Sequence, residues 1–235
     1  AFSDFEGLVH AHVSEQPREN TQCQAEHGLS PTALLHQVGL LSERFTAVHM
    51  TFPESGDADL LRQTGARVCA CPSTELDLGD GFLPLDHLHG VPICIGSDSH
   101  AQIDPFAEVK ALELHARGCQ GRRNVLAPPD QPDGLALRLL EIGSLEGARS
   151  LGFEAGAIRA GLLADLITVD LDHLLLVGAR PLPTIALSGH PGLLREAWVG
   201  GEQVLAEGRS PQRAAIIRAA VDALDRYSSE SPTPR

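Results

Sequence analysis

The sequence predicts an α/β fold: about half of a parallel βα barrel, then helices and a small β appendage. Two observations lead there. Four short runs, residues 8–13, 45–50, 67–71 and 91–96, are mostly apolar rather than alternating, as for strands covered on both faces. Helical spacing separates the first three runs, and strand–helix alternation implies a parallel sheet or barrel.

The elements follow in order. Between the first two runs, residues 30–39 place Pro31 at a helix start, with Leu34, Leu35 and Val38 on one face. Residues 57–65 carry Leu60 and Leu61 and end in Gly65, a helix stop. After Gly96, residues 104–118 and 133–152 read as amphipathic helices separated by the turn-rich segment 127–132. Segments 163–171, 195–200 and 203–207 read as strands, the last two joined by a turn at Gly200-Gly201. A helix over 212–227 precedes a Ser/Pro-rich stretch, 228–235, expected to be a disordered tail. The expected division is a partial barrel over 1–155, a small β segment over 156–208, a C-terminal helix over 209–227 and that tail.

Composition narrows the function classes. Of 235 residues, 18 are Lys or Arg and 31 Asp or Glu, and the net charge of −13 argues against nucleic-acid or anionic-membrane partners. No apolar run reaches the length of a membrane span, and the first residues lack the charged-then-apolar pattern of a secretory leader, so none is expected. The first residue is Ala1, which leaves a processed, trimmed or incomplete chain open. The five cysteines, Cys23, Cys69, Cys71, Cys94 and Cys119, lack disulfide or zinc-thiolate spacing and read as buried free thiols of a cytoplasmic protein.

Chemistry concentrates where apolar runs end. The first delivers His12 with Glu15 three residues on, the second His49, the fourth Asp98. Barrel enzymes place catalytic groups at the carboxyl ends of strands, and three such residues on one rim suggest a metal site. Taken singly, each has a structural alternative: a hydrogen-bonded histidine, a solvated Glu15, a helix-capping Asp98. His10 shares the face of His12 by strand alternation, so either can point inward. His12 is preferred because Glu15 folds back over the same rim. The histidines at 27, 36, 87, 89, 115, 173 and 190 read as surface or loop residues.

His12-Val13-Ser14-Glu15, Val48-His49-Met50-Thr51 and Gly96-Ser97-Asp98-Ser99-His100 resemble the later motifs of the amidohydrolase superfamily. Residues 71–81, with Thr74-Glu75 before Leu78-Gly79-Asp80-Gly81, resemble the formimidoylglutamate deiminases within it, as do residues 10–16 and Arg122-Arg123-Asn124. Gly156-Ala157-Ile158, Gly161 and Ala164-Asp165-Leu166 resemble the return into the superfamily's small β domain. The resemblance spans about residues 8–208. It implies one divalent metal, zinc, with His12 and Asp98 as two ligands. It further implies Asp98 as a proton acceptor, His49 as the group that orients the nucleophile, and Glu15 as the proton shuttle. The implied small-molecule substrate is N-formimidoyl-L-glutamate, converted to N-formyl-L-glutamate and ammonia in histidine degradation.

One departure stands out. The family opens with a His-x-His pair on its first barrel strand, and no such pair lies far upstream here. Only 86 residues separate His12 from Asp98, room for about three βα units, so His10-Ala11-His12 is not that pair. The four runs are then strands five to eight, and the chain reads as the C-terminal half of a (β/α)8, TIM-like barrel plus part of a small β domain, belonging to a larger enzyme. Alternatives are an aminohydrolase of purines, pyrimidines or triazines, disfavoured by only nine aromatic residues, and an inactive truncated chain. An open half-barrel has an unpaired strand edge, which invites aggregation or a homodimer. Arg122 and Arg123 read as a solvated pair before substrate contacts, and Glu75 and Asp80 lie near the rim without an evident role.

Overall fold

The computed structural model describes residues 6–100 and 102–230. Four parallel strands, β1 (Val9–Val13), β2 (Phe45–His49), β3 (Arg67–Ala70) and β4 (Ile93–Ile95), form one sheet in chain order. Each falls within a run expected to be a strand. The pairing sets His12 beside Val48 and Val13 beside His49, so β1 and β2 end level. In-order parallel pairing with helical crossovers is the arrangement of consecutive barrel units.

The two faces of this sheet differ. Val9, Ala11, Val13, Phe45, Ala47, Val68, Ala70 and Ile93 join the main core, and Leu61 and Leu139 within it are fully buried, each such side chain stabilising by about 1.5–3 kcal/mol. The alternate residues Val48, Cys69, Cys71 and Cys94 form a separate small cluster, while His10 and His12 are exposed. The mostly apolar runs therefore do not signify two equally covered faces. Cys69, Cys71 and Cys94 are buried free thiols as expected, but Cys23 is only half-buried and Cys119 is exposed.

Helices α1 (Pro17–His27) and α2 (Pro31–Gln37) connect β1 to β2, α3 (Asp57–Thr64) connects β2 to β3, and α4 (Pro72–Leu78) follows β3. Polar, non-periodic α1 was not expected; Pro17 opens it and Gly28, at φ 68°, closes it. Helix α4 lies within residues 71–81, where the sequence assigned no helix, between Pro72 and a left-handed Gly79. Beyond β4 lie α5 (Pro105–Gln120), capped by the Asp104 carboxylate, and α6 (Gly134–Glu141). The single helix expected over 133–152 is interrupted by a π-helical turn, Ile142–Glu146, before α7 (Gly147–Ser150). That turn presents Glu146 to Arg67 at 3.0 Å and to Arg149 at 2.7 Å, a polar contact that an apolar pattern cannot reveal.

Strands β5 (Leu166–Val169), β6 (Leu194–Val199) and β7 (Glu202–Leu205) form a three-stranded antiparallel sheet, with Gly200 and Gly201 both at positive φ in the β6–β7 turn. Helix α8 (Pro181–Ser188), in a segment to which the sequence assigned no element, packs on α5 and α6. The last helix, α9 (Arg213–Glu230), extends past Tyr227, so residues 228–230 are helical rather than part of a tail; the rest of the expected tail, 231–235, lies outside the described residues. No helix among the described residues is long and apolar enough to cross a membrane.

Gly156 requires its lack of a side chain. At φ 83° an added Cβ would sit 2.5 Å from Leu145 Cα, backbone that cannot swing aside. Gly156→Ala is expected to lower stability by at least about 1–3 kcal/mol. Urea denaturation of both proteins checks this, and equal midpoints would refute it.

Candidate metal centre

The carboxyl ends of β1, β2 and β4 converge. His12 Nε2 lies 3.6 Å from Asp98 Oδ1, and His49 Nε2 lies 3.7 Å from Glu15 Oε1 and 4.0 Å from Asp98 Oδ2. The imidazole rings of His12 and His49 are 5.1 Å apart, tilted by 47°. All four residues singled out in the sequence thus meet at one place.

Local backbone produces the convergence. Ser14, His49, Met50 and Asp98 all have positive φ without being glycine, a conformation typically retained where the surroundings force it, often at functional sites. In a straight strand His49 would share the face of Phe45 and Ala47; the turn at the end of β2 brings it to the rim instead. Surrounding hydrogen bonds hold these turns. The Glu19 carboxylate accepts the N–H groups of Ser14 and Glu15, each at 3.0 Å. Thr51 Oγ1 donates to the carbonyls of Ser14 and Glu15 at 3.1 and 2.7 Å. Thr74 Oγ1 donates to the Ser97 carbonyl at 2.9 Å and accepts the Ser99 N–H at 3.1 Å, fixing both sides of Asp98. Asp98 itself caps no helix; Asp104 caps α5.

His10 takes no part in this group. Its Nε2–H donates to the Ser150 carbonyl at 2.9 Å, so the His10-Ala11-His12 triplet contributes only His12 here. His115, read as a surface residue, lies within α5 with its ring 4.5 Å from Phe82, and burial pushes its pKa down. Arg122 and Arg123 are exposed just beyond α5, Arg122 bonded to Gln120 at 2.9 Å.

Two carboxylates left without a role are buried beside the group. Glu75, fully buried, has Oε1 3.4 Å from His49 Nδ1 and 2.7 Å from the Cys71 N–H it accepts. Asp80, 1% exposed, accepts a hydrogen bond from Gln16 and keeps Oδ2 unpartnered. The only sequence signal for either was the pattern of residues 71–81, because the covering helix α4 was itself unforeseen.

The donor set fits a small divalent cation. One donor atom each from His12, His49 and Asp98 lies within 4.8 Å of the others, and His49 Nε2 is buried without a hydrogen-bond partner. Two imidazoles and one carboxylate are a common zinc donor set.

Electrostatics around the group raise two pKa values. Desolvation raises that of Glu15; His49 and His12 oppose this and Asp80 adds to it. For His49 desolvation acts downward, but the hydrogen bond to Glu75 and the charges of Glu15, Glu75 and Asp98 outweigh it, and the net shift is upward. The sign for stability is the same in both cases. A folded pKa above the unfolded one stabilises fully below the unfolded value, and that gain disappears as pH rises through the folded value. Metal-free protein is therefore expected to lose thermal stability as pH rises above the ordinary histidine value of 6.5. In calorimetry across that range His49→Gln should flatten the decline; an equally steep decline would contradict the assignment.

The amidohydrolase family model matches residues 3–204. Formimidoylglutamate deiminase of Pseudomonas aeruginosa is 32% identical over 221 residues, 92% of this chain and 49% of that protein. The 5'-deoxyadenosine deaminase of Methanospirillum hungatei is 28% identical over 228 residues, 93% of this chain and 48% of that protein. A crystal structure of an adenosine deaminase from Xanthomonas campestris with bound zinc superimposes with a TM-score of 0.83 at 28% identity, covering 94% of this chain and 51% of that one. The chain spans about half the length of the curated relatives it matches.

Proposed function

This chain belongs to the amidohydrolase family, and from that premise we propose that it carries the reaction centre of a zinc-dependent deiminase acting on N-formimidoyl-L-glutamate. The observation that carries the reading is the meeting of His12, His49, Asp98 and Glu15 at three strand ends. The identity to formimidoylglutamate deiminase and the Thr74-Glu75 and Leu78-Gly79-Asp80-Gly81 pattern favour a formimidoyl substrate over an adenosine derivative. So does charge: Glu15, Glu75, Asp80 and Asp98 surround the site, and an amidine is far more readily cationic than an adenine ring.

His12 and Asp98 would hold the metal, with His49 beside them. Bound zinc supplies positive charge that makes water available as a nucleophile near neutral pH. Asp98 takes a proton from the attacking water. His49, through its site-facing Nε2, orients that water for attack on the formimidoyl carbon. Glu15, whose raised pKa suits a group that must both take and give a proton, delivers one to the imino nitrogen and then to the departing nitrogen. The carbon–oxygen bond forms, the carbon–nitrogen bond to the terminal nitrogen breaks, and one water is consumed for each ammonia and N-formyl-L-glutamate released.

The test is ammonia release from the zinc-supplied protein with N-formimidoyl-L-glutamate, 5'-deoxyadenosine, 5-methylthioadenosine and a triazine as substrates. The expected kcat/KM for the formimidoyl compound exceeds the others by at least about 100-fold. An adenosine derivative turned over equally well, or no ammonia from the formimidoyl compound, would overturn the proposal.

A further inference from the structure

The carboxylate of Glu75 lies behind His49, on the side of the imidazole away from Glu15 and Asp98. Glu75 and His49 are both fully buried, so water cannot compete for their contact. The carboxylate is itself fixed. Its Oε1 accepts the Cys71 N–H at 2.7 Å, while the Glu75 N–H donates to the Cys71 carbonyl at 2.9 Å. One side chain thus ties the start of α4 to the end of β2.

The two nitrogens of His49 have different surroundings. Nδ1 has an acceptor within hydrogen-bond distance, Glu75 Oε1 at 3.4 Å. Nε2 has none: Glu15 and Asp98 stand at 3.7 and 4.0 Å, and the atom is buried and unpartnered. A hydrogen on Nε2 would be left without an acceptor, and the Nδ1 lone pair would then face a carboxylate oxygen. A buried donor without a partner and two opposed lone pairs are both unfavourable. The neutral ring avoids both only with its hydrogen on Nδ1.

We propose that Glu75 is a positioning residue that fixes the tautomer of His49, holding the hydrogen on Nδ1 and directing the Nε2 lone pair into the site. The significance of this for deimination rests on the function proposed above; the tautomer itself does not. Glu75 touches no reacting atom. It acts through His49, as carboxylates behind metal-site histidines do.

The experiment is long-range nitrogen–proton NMR of the histidine rings in the purified chain, without metal or substrate, at a pH where imidazole is neutral. His49→Gln identifies the His49 signals. The expected result is His49 with a protonated Nδ1 and an unprotonated Nε2. Glu75→Gln keeps the shape and an oxygen for the Cys71 N–H but gives up the charge, and is expected to shift the ratio of tautomers at least about threefold toward Nε2–H. Glu75→Leu, which removes the acceptor, should shift it further. Should the leucine variant not fold, wild type and the glutamine variant decide the matter. A wild-type His49 protonated mainly on Nε2, or a folded Glu75→Gln protein with an unchanged ratio, overturns the proposal. A role confined to holding the Cys71 N–H would give that unchanged ratio. The readout needs no turnover, so its failure would leave the deiminase proposal standing, and failure of the substrate test would leave the tautomer standing.

Discussion

Asp98→Asn is expected to weaken zinc binding by more than about 100-fold. Losing a partner that only supports a ligand already weakens metal sites by about 10–100-fold, and this change removes the one anionic donor of the His12, His49 and Asp98 group. The substitution is well suited to the position. Asp98 sits at φ 48°, a conformation asparagine tolerates as readily as aspartate, and Thr74 braces the loop through Ser97 and Ser99 rather than through the Asp98 side chain. The fold should therefore survive. Competition with a chromogenic chelator at one fixed pH gives the affinity, since ligand protonation also changes it. Equal affinity in a folded variant would remove Asp98 from the metal centre.

Glu15→Gln is expected to reduce ammonia release by about 100- to 10,000-fold, the range for loss of a positioned general acid–base. Its backbone should stay in place, because the Ser14 and Glu15 N–H groups are held by Glu19 and the Glu15 carbonyl by Thr51, none of which involves the Glu15 carboxylate. Metal content should be unchanged, which separates this variant from Asp98→Asn. A fall in kcat with KM nearly constant is the expected pattern. Near-normal turnover would show that another group moves the proton.

The barrel half and its rim were legible in the sequence because both follow simple rules. Short apolar runs made strands, and polar residues at their ends met in space. What escaped has specific physical causes. Helix α1 has almost no apolar stripe, so its only marks are Pro17 and Gly28. Helix α8 begins at a proline and has a second in its first turn, a composition shared with loops. The π-helical turn at Ile142–Glu146 ends in a carboxylate that meets Arg67 across 79 residues, a relation absent from local periodicity. Glu75 was visible as a residue and opaque as a part: its contact with His49 depends on α4, and nothing local places that helix over the end of β2.

Ser14, His49, Met50 and Asp98 are held in left-handed backbone although none is glycine. Left-handed backbone costs a side-chain-bearing residue stability, but Ser14, His49 and Met50 are fully buried, and glycine there would forfeit more packing than the strain it relieved. Of the four, only Asp98 is exposed, so a search for hardier variants would be drawn to that codon. The gain would come at a place where aim matters, loosening the rim while toughening the whole. Thermal resilience and chemical precision compete at that residue, and improvements in the first should be sought in α9 or the β5–β7 sheet instead.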